Sequence, residues 1–124
     1  MGFEEFKAIA ITQDSRNTFG KCEKVPSIVP DPLKTFYRDY NPVDVEINID
    51  GVAVRFYPAD DLEQLQNEYS IPSAFVFATC NGDPIFISEG IVYSCPHGVS
   101  NPKWEIANNN LLQYFSFNNK ADAH

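Results

Sequence analysis

The sequence predicts an α+β domain in which helices pack against one antiparallel sheet. Three observations carry this. Residues 43–56 alternate apolar and polar side chains on either side of Asp50-Gly51, the pattern of a β-hairpin. Three strand-like runs between residues 74 and 95 are separated by turn-forming pairs, which makes a meander. Segments with apolar residues at helical spacing precede, separate and follow these runs. The chain has 124 residues, enough for one core and too few for two, so residues 1–124 form a single domain.

The first element is a short helix from residue 3 to about 11, with Phe3, Phe6 and Ile9 or Ala10 on one side. Residues 13–30 read as a polar linker punctuated by Gly20, Pro26 and Pro30. Asp31-Pro32 supplies an N-cap and a proline at the first helical position. Leu33, Phe36, Tyr37 and Tyr40 then recur at i, i+3, i+4 and i+7, and Pro42 ends the helix. In the hairpin, Val43, Val45, Ile47 and Ile49 face one way and Asp44, Glu46, Asn48 and Asp50 the other, before Val52, Val54 and Phe56 return. Asp50-Gly51 suits a two-residue turn because both positions accept positive φ. Pro58 closes the strand, and Ala59 or Asp60 opens a helix carrying Leu62, Leu65 and Tyr69 that Ile71-Pro72 ends. Residues 74–79 are nearly all apolar, as in a central strand covered on both faces. Asn81-Gly82-Asp83-Pro84 forms a turn, residues 85–88 a strand, Glu89-Gly90 a tight turn, residues 91–95 a third strand and residues 96–103 a loop. Asn109 or Asn110 caps a final helix with Leu111, Leu112 and Phe115 buried, and residues 118–124 form a polar tail that frays.

Composition excludes several classes. A net charge of −8 repels phosphate backbones, so nucleic acid is not the expected partner and a basic protein is. No apolar run approaches the roughly 18–20 residues of a membrane helix, and the start lacks a basic segment followed by an apolar one. Gly2 is not in a myristoylation context, because Phe6 stands where serine or threonine is required. Cys22, Cys80 and Cys95 are odd in number and irregularly spaced, as reduced thiols in a cytoplasmic protein are.

The charge is unevenly placed. Residues 39–68 contain Asp39, Asp44, Glu46, Asp50, Asp60, Asp61, Glu63 and Glu68 against Arg55 alone, which leaves −7 of the total −8 there. A strand face lined with carboxylates protects an exposed edge from pairing with another chain. It also makes an electrostatic docking surface for a cationic protein. Arg55 among these acids reads as an ion-pair partner on the hairpin.

Catalytic and metal constellations are weak by comparison. Cys95-Pro96-His97 sets a thiol near an imidazole, but a nucleophile pair needs both in hydrogen-bonding reach and a third group to orient the ring. Cys22, Cys80, Cys95 and His97 could offer four zinc ligands, yet no short Cys-x-x-Cys pair nucleates a site. Asp60-Asp61 at a helix start fits capping better than acid–base chemistry. No glycine-rich phosphate loop is present, and Trp104 has no basic interleaving of the kind that holds nucleic acid. Asn81, Asp83 and His97 read as turn chemistry with the histidine bracing the loop, or else as the lining of a ligand pocket.

The order of several strings resembles the SUKH superfamily, the Smi/Knr-like domains. Leu33-Lys34-Thr35-Phe36-Tyr37-Arg38-Asp39-Tyr40-Asn41 is similar to its early aromatic helix. Arg55-Phe56-Tyr57-Pro58 with residues 60–69 resembles its strand–Pro–helix unit. Phe77-Ala78-Thr79-Cys80-Asn81-Gly82-Asp83-Pro84-Ile85-Phe86, then Val92-Tyr93-Ser94-Cys95-Pro96-His97-Gly98 and Asn110-Leu111-Leu112-Gln113-Tyr114-Phe115, complete the likeness over a core of about residues 30–117. Asn41-Pro42-Val43 stands where a typical member has Asn-Gly-Gly, and the last helix lacks the usual Ser-Phe-Glu-Glu-Phe. The resemblance implies a non-catalytic protein-binding module without a cofactor. One expected form is a bacterial immunity protein that neutralises a basic nuclease or deaminase toxin. The other is an intracellular scaffold or regulatory module linked to cell-wall synthesis or signalling. The expected contact charge is Asp44, Glu46, Asp50, Asp60, Asp61 and Glu63.

Overall fold

The structure, a computed structural model, describes residues 3–116. Seven strands form one antiparallel sheet in which spatial order follows chain order: β1 (Thr18–Gly20), β2 (Asn41–Ile49), β3 (Val52–Phe56), β4 (Phe75–Cys80), β5 (Asp83–Ser88), β6 (Ile91–Ser94) and β7 (Glu105–Asn108). The helices are α1 (Phe3–Gln13), α2 (Asp31–Asp39), α3 (Leu62–Tyr69) and α4 (Leu111–Phe115), with a 3-10 turn at Ala59–Asp61 leading into α3. The α+β expectation holds, and the hairpin and the meander prove to be parts of one continuous sheet. The polar tail expected at residues 118–124 lies outside the described residues.

Local chemistry accounts for the sharp corners. Asp50-Gly51, Asn81-Gly82 and Glu89-Gly90 each supply two consecutive positive φ angles, from 51° to 88°, which match the right-handed twist of the strands they join. In β2, Val45, Ile47 and Ile49 are buried while Asp44, Glu46 and Asn48 are exposed, as a period of two demands, whereas Val43 and Val52, expected on the buried face, are exposed at the two ends of the pattern. Asn110 caps α4, its Oδ1 accepting the Gln113 N–H at 3.1 Å.

Sequence and structure differ at several places. A short strand, β1, lies inside the expected linker and pairs with Asn41, Pro42 and Asp44 of β2. A seventh strand, β7, follows the 96–103 loop and pairs with β6, although Glu105, Ile106 and Ala107 are all exposed and give no alternation to read. The N-cap of α2 is Pro30, so Asp31 sits in the first turn and forms an exposed ion pair with Lys34 at 3.3 Å. Pro42 lies within β2, and Pro84 within β5.

The main core is built on one face of the sheet from phenylalanines that each come from a different element. Phe6 (α1), Phe36 (α2), Phe56 (β3), Phe77 (β4) and Phe115 (α4) are fully buried. Ring centroids lie 4.9 Å apart for Phe6–Phe115, 5.0 Å for Phe6–Phe56 and Phe36–Phe115, and 5.9 Å for Phe56–Phe77. Such tilted and edge-on pairs contribute about 0.5–1.5 kcal/mol each beyond area burial. On the opposite face, Phe86 meets Trp104 at 4.8 Å and Tyr93 at 5.8 Å, and α3 packs against β4.

Side-chain amides complete the ladder where strands stop short. Gln66 of α3 donates to Val76 O and accepts the Val76 N–H, both at 2.7 Å, taking the place of a strand partner beyond the end of β3. Gln13 does the same for Asn48, at 3.0 and 2.7 Å. Asn17 accepts the Glu46 N–H at 2.9 Å and donates to Ala10 O at 2.8 Å, and Asn41 accepts the Ala59 N–H at 2.8 Å. The edge of β2 past β1 is thereby closed, so it offers no free ladder to another chain.

Candidate functional site

All six carboxylates singled out from the sequence are exposed. The sheet brings Asp44 and Glu46 together on the outer face of β2, where Arg55 of β3 stands directly opposite Glu46. Arg55 reaches Asp44 at 3.0 Å, which is the ion pair expected on the hairpin. Arg16, bonded to Asp14 at 2.8 Å, is also attracted to Asp44 and lines with it a cleft of about 440 Å3. This part of the acidic stretch is therefore a mixed surface with two guanidinium groups among its carboxylates.

Three of the other four acids stand together at the opposite end of the chain segment. Asp60 and Asp61 lie in the 3-10 turn and Glu63 in the first turn of α3. Asp61 occupies the N-cap position without a side-chain cap bond, so capping does not engage its carboxylate. Among the described residues, Glu46, Asp60, Asp61 and Glu63 form no ion pair. Asp50 is separate again: it sits in the hairpin turn, whereas Ala59-Asp60-Asp61 lie at the hairpin base, held to Asn41. About 15–20 Å of strand lies between the two ends at ~3.3 Å per residue. The six do not form one patch.

A second concavity lies beside α3. Its volume is about 590 Å3, and Glu68, Tyr69 and Pro72 from the end of α3 and its exit loop face Pro84, Cys95, His97 and Trp104 across it. Tyr69 Oη donates to Gly82 O at 2.7 Å, fixing the phenol. Asp83 Oδ1 accepts both the His97 backbone N–H at 3.0 Å and its Nδ1–H at 2.6 Å, so the 96–103 loop is pinned to the β4–β5 turn. That hydrogen bond holds the Asp83 carboxyl below its ordinary range, against partial desolvation. The bracing role expected of His97 is thus present. Asn81 and Asp83 line a different cleft, near Asp50 and Val52, and do not share one pocket with His97.

Cys95 is 5% exposed, and burial first, then the Asp83 charge, pushes its thiol up from the usual value. This runs opposite to the thiolate that a nucleophile requires, and His97 turns Nδ1 to Asp83. Among the described residues, no group of three His, Cys, Asp or Glu side chains is placed to hold a metal ion. No described helix is long and apolar enough to cross a membrane. Sequence reasoning missed the second concavity because its walls come from segments some thirty residues apart. The available signal was the set of prolines, Pro72, Pro84, Pro96 and Pro102, flanking Tyr69 and Trp104.

Fold and surface together define an α+β domain on an open seven-stranded antiparallel meander with an acidic exterior. Comparison with protein-family models, with curated proteins and with solved structures finds no match to this chain.

Proposed function

We propose that this chain is a non-catalytic protein-binding domain, an immunity-type protein that occupies the cationic surface of a basic toxin domain of nuclease or deaminase type. One observation carries the reading: residues 39–68 hold eight carboxylates and one arginine, and four of the six expected contact acids are exposed without an ion-pair partner among the described residues. Unpaired surface charge of one sign steers a partner of the other sign and raises its on-rate, an effect that falls with salt. Nucleases hold phosphates with cations, so an acidic inhibitor meets them with complementary charge. The string-by-string likeness to Smi/Knr-like domains supports the same class of binding module. Among the acids, Asp60, Asp61 and Glu63 take the leading role, because Asp44 is already engaged by Arg55.

The test is capture from source-cell lysate by the chain and by an Asp60→Lys, Asp61→Lys, Glu63→Lys variant, at low and high salt, with captured proteins identified by mass spectrometry. The expected result is one basic partner, released by salt and lost with the triple variant, whose enzymatic activity falls when one equivalent of this chain is added. A wall-synthesis or signalling protein held without inhibition replaces the toxin reading with the scaffold one. Equal capture by chain and variant at both salt concentrations overturns the acidic docking surface.

A further inference from the structure

The cleft beside α3 contains none of the six contact acids, and its chemistry differs from theirs. One wall is Tyr69, held by Gly82; the other is Trp104, braced edge-on against Phe86 at 4.8 Å and against Tyr93 at 5.2 Å. Pro72, Pro84, Pro96 and Pro102 lie around these rings, so much of the surrounding backbone has a fixed φ and loses little freedom when covered. No protein group among the described residues accepts the Trp104 indole N–H. Neither lysine nor arginine lines the cleft, whereas Glu68 does, exposed and without an ion pair among the described residues. Val99, 55% exposed at the margin, carries apolar surface outward past the pocket itself.

We infer that this cleft binds an extended, proline-containing basic peptide segment of a partner protein. Aromatic walls with a free indole donor are how a proline-rich segment is recognised. The rings pack on pyrrolidine faces, the donor takes a backbone carbonyl, and the preformed polyproline helix loses little entropy on docking. The unpaired Glu68 selects a lysine or arginine beside the prolines, in a chain whose net charge of −8 favours any cationic ligand. A volume of about 590 Å3 admits a short stretch of such a helix, and Val99, 55% exposed at the margin, adds apolar contact. The inference stands apart from the acidic docking surface, and either can fail alone.

Two dodecapeptide probes test it, one with arginine at each end and six prolines between, the other with alanine replacing those prolines. The chain has one tryptophan, so its fluorescence and its single indole N–H resonance report on Trp104 directly. The proline peptide is expected to shift both saturably and to bind at least about tenfold more tightly than the alanine control. Trp104→Phe, which keeps a ring on Phe86 and removes the donor together with both tryptophan signals, is expected to weaken binding about five- to tenfold by isothermal titration calorimetry run beside the parent chain. Glu68→Gln is expected to weaken it about two- to fivefold at low salt and not at high salt. The Asp60→Lys, Asp61→Lys, Glu63→Lys variant keeps the indole response, which separates this site from the acidic surface. An unmoved indole resonance at roughly 1 mM proline peptide overturns the inference. So does equal binding of the two peptides, which assigns the effect to charge alone, or the same response to arginine amide, which assigns the cleft to a small cation.

Discussion

Gln66→Ala probes the most unusual load on a single polar side chain in this fold. Gln66 bonds both backbone groups of Val76 at 2.7 Å and Leu62 O at 3.0 Å. Val76 is 1% exposed, so truncation strands a buried N–H and a buried C=O where water does not replace the amide. Each stranded group costs about 1–3 kcal/mol, and partial relaxation of α3 sets the expected total at about 2–4 kcal/mol. Gln13 makes the same two-way bond to Asn48, but that pair is exposed. Water takes over there, and Gln13→Ala is expected to cost only about 0.5–1 kcal/mol. Urea unfolding reads both: with a slope near 1.5 kcal/mol/M, a loss of ~3 kcal/mol lowers the midpoint by about 2 M. Hydrogen exchange at the Val76 amide gives an independent reading, slow in the parent chain and fast in Gln66→Ala. Gln66→Glu adds a third. Its carboxylate accepts from Val76 N–H but repels Val76 O, whereas the neutral acid donates to it, so its deficit relative to glutamine narrows as pH falls through the raised native value toward the unfolded value of about 4.3. Equal losses for Gln66→Ala and Gln13→Ala refute the reasoning, because burial and the added Leu62 O bond both make the Gln66 loss the larger one.

Gly82→Ala is expected to destabilise more than Gly90→Ala. Both replace a glycine at positive φ, +87° and +81°, but only the new methyl at position 82 meets a neighbour, the His97 ring at 3.1 Å. The excess is about 0.5–1 kcal/mol, it disappears when His97 is also changed to alanine, and thermal unfolding of the parent and the two glycine variants, each with His97 and with His97→Ala, checks it. The Asp83–His97 bond makes a pH prediction. A carboxyl held below its ordinary 3.8 contributes stability that is complete above 3.8 and is lost as pH falls through the lowered native value. Carboxyl carbon NMR is therefore expected to place the Asp83 midpoint below 3.8 and to move it upward in His97→Ala, where only the backbone N–H bond remains; an unmoved midpoint sinks the pairing. Finally, Cys95 is expected to react slowest of the three thiols with Ellman's reagent at pH 8, since it is buried and its thiolate disfavoured while Cys22 and Cys80 are half-buried. Equal rates without denaturant contradict the buried placement.

Much of this fold is legible locally. The hairpin follows from alternation plus Asp50-Gly51, and the next two corners from Asn81-Gly82 and Glu89-Gly90, because positive φ is a property of the residues themselves. The buried face of α2 follows from Leu33, Phe36 and Tyr37 at helical spacing. What is not legible depends on neighbours. Thr18-Phe19-Gly20 becomes a strand only because β2 is there to pair with it, and Glu105–Asn108 only because of β6. Nothing local distinguishes Gln66, which replaces a strand, from Gln64, which faces solvent. The same division runs through the candidate site. Exposure of Asp44 and Glu46 could be read from a period of two, whereas the separation of Asp50 from Asp60 and Asp61 is set by the path of the chain after Pro58.

The placement of the sealed surfaces narrows where a partner can act. Five phenylalanines close one face of the sheet, and Gln13 and Asn17 close the edge of β2, so neither offers apolar area or free ladder groups. The outer edge of β7, where Ile106 is 59% exposed, is not sealed in this way. The proposed reading places its interaction chemistry in the exposed charge at the start of α3 and the aromatic cleft at its end. Their physics divides the work. Exposed carboxylates act over a Debye length of roughly 8 Å and change association rate more than affinity. A rigid cleft with an indole donor acts only in contact and changes dissociation. A partner that uses both ends of α3 is expected to show salt-dependent association with dissociation that salt scarcely alters. Surface plasmon resonance at two ionic strengths separates the two terms, and a partner whose dissociation rate alone follows salt contradicts this division.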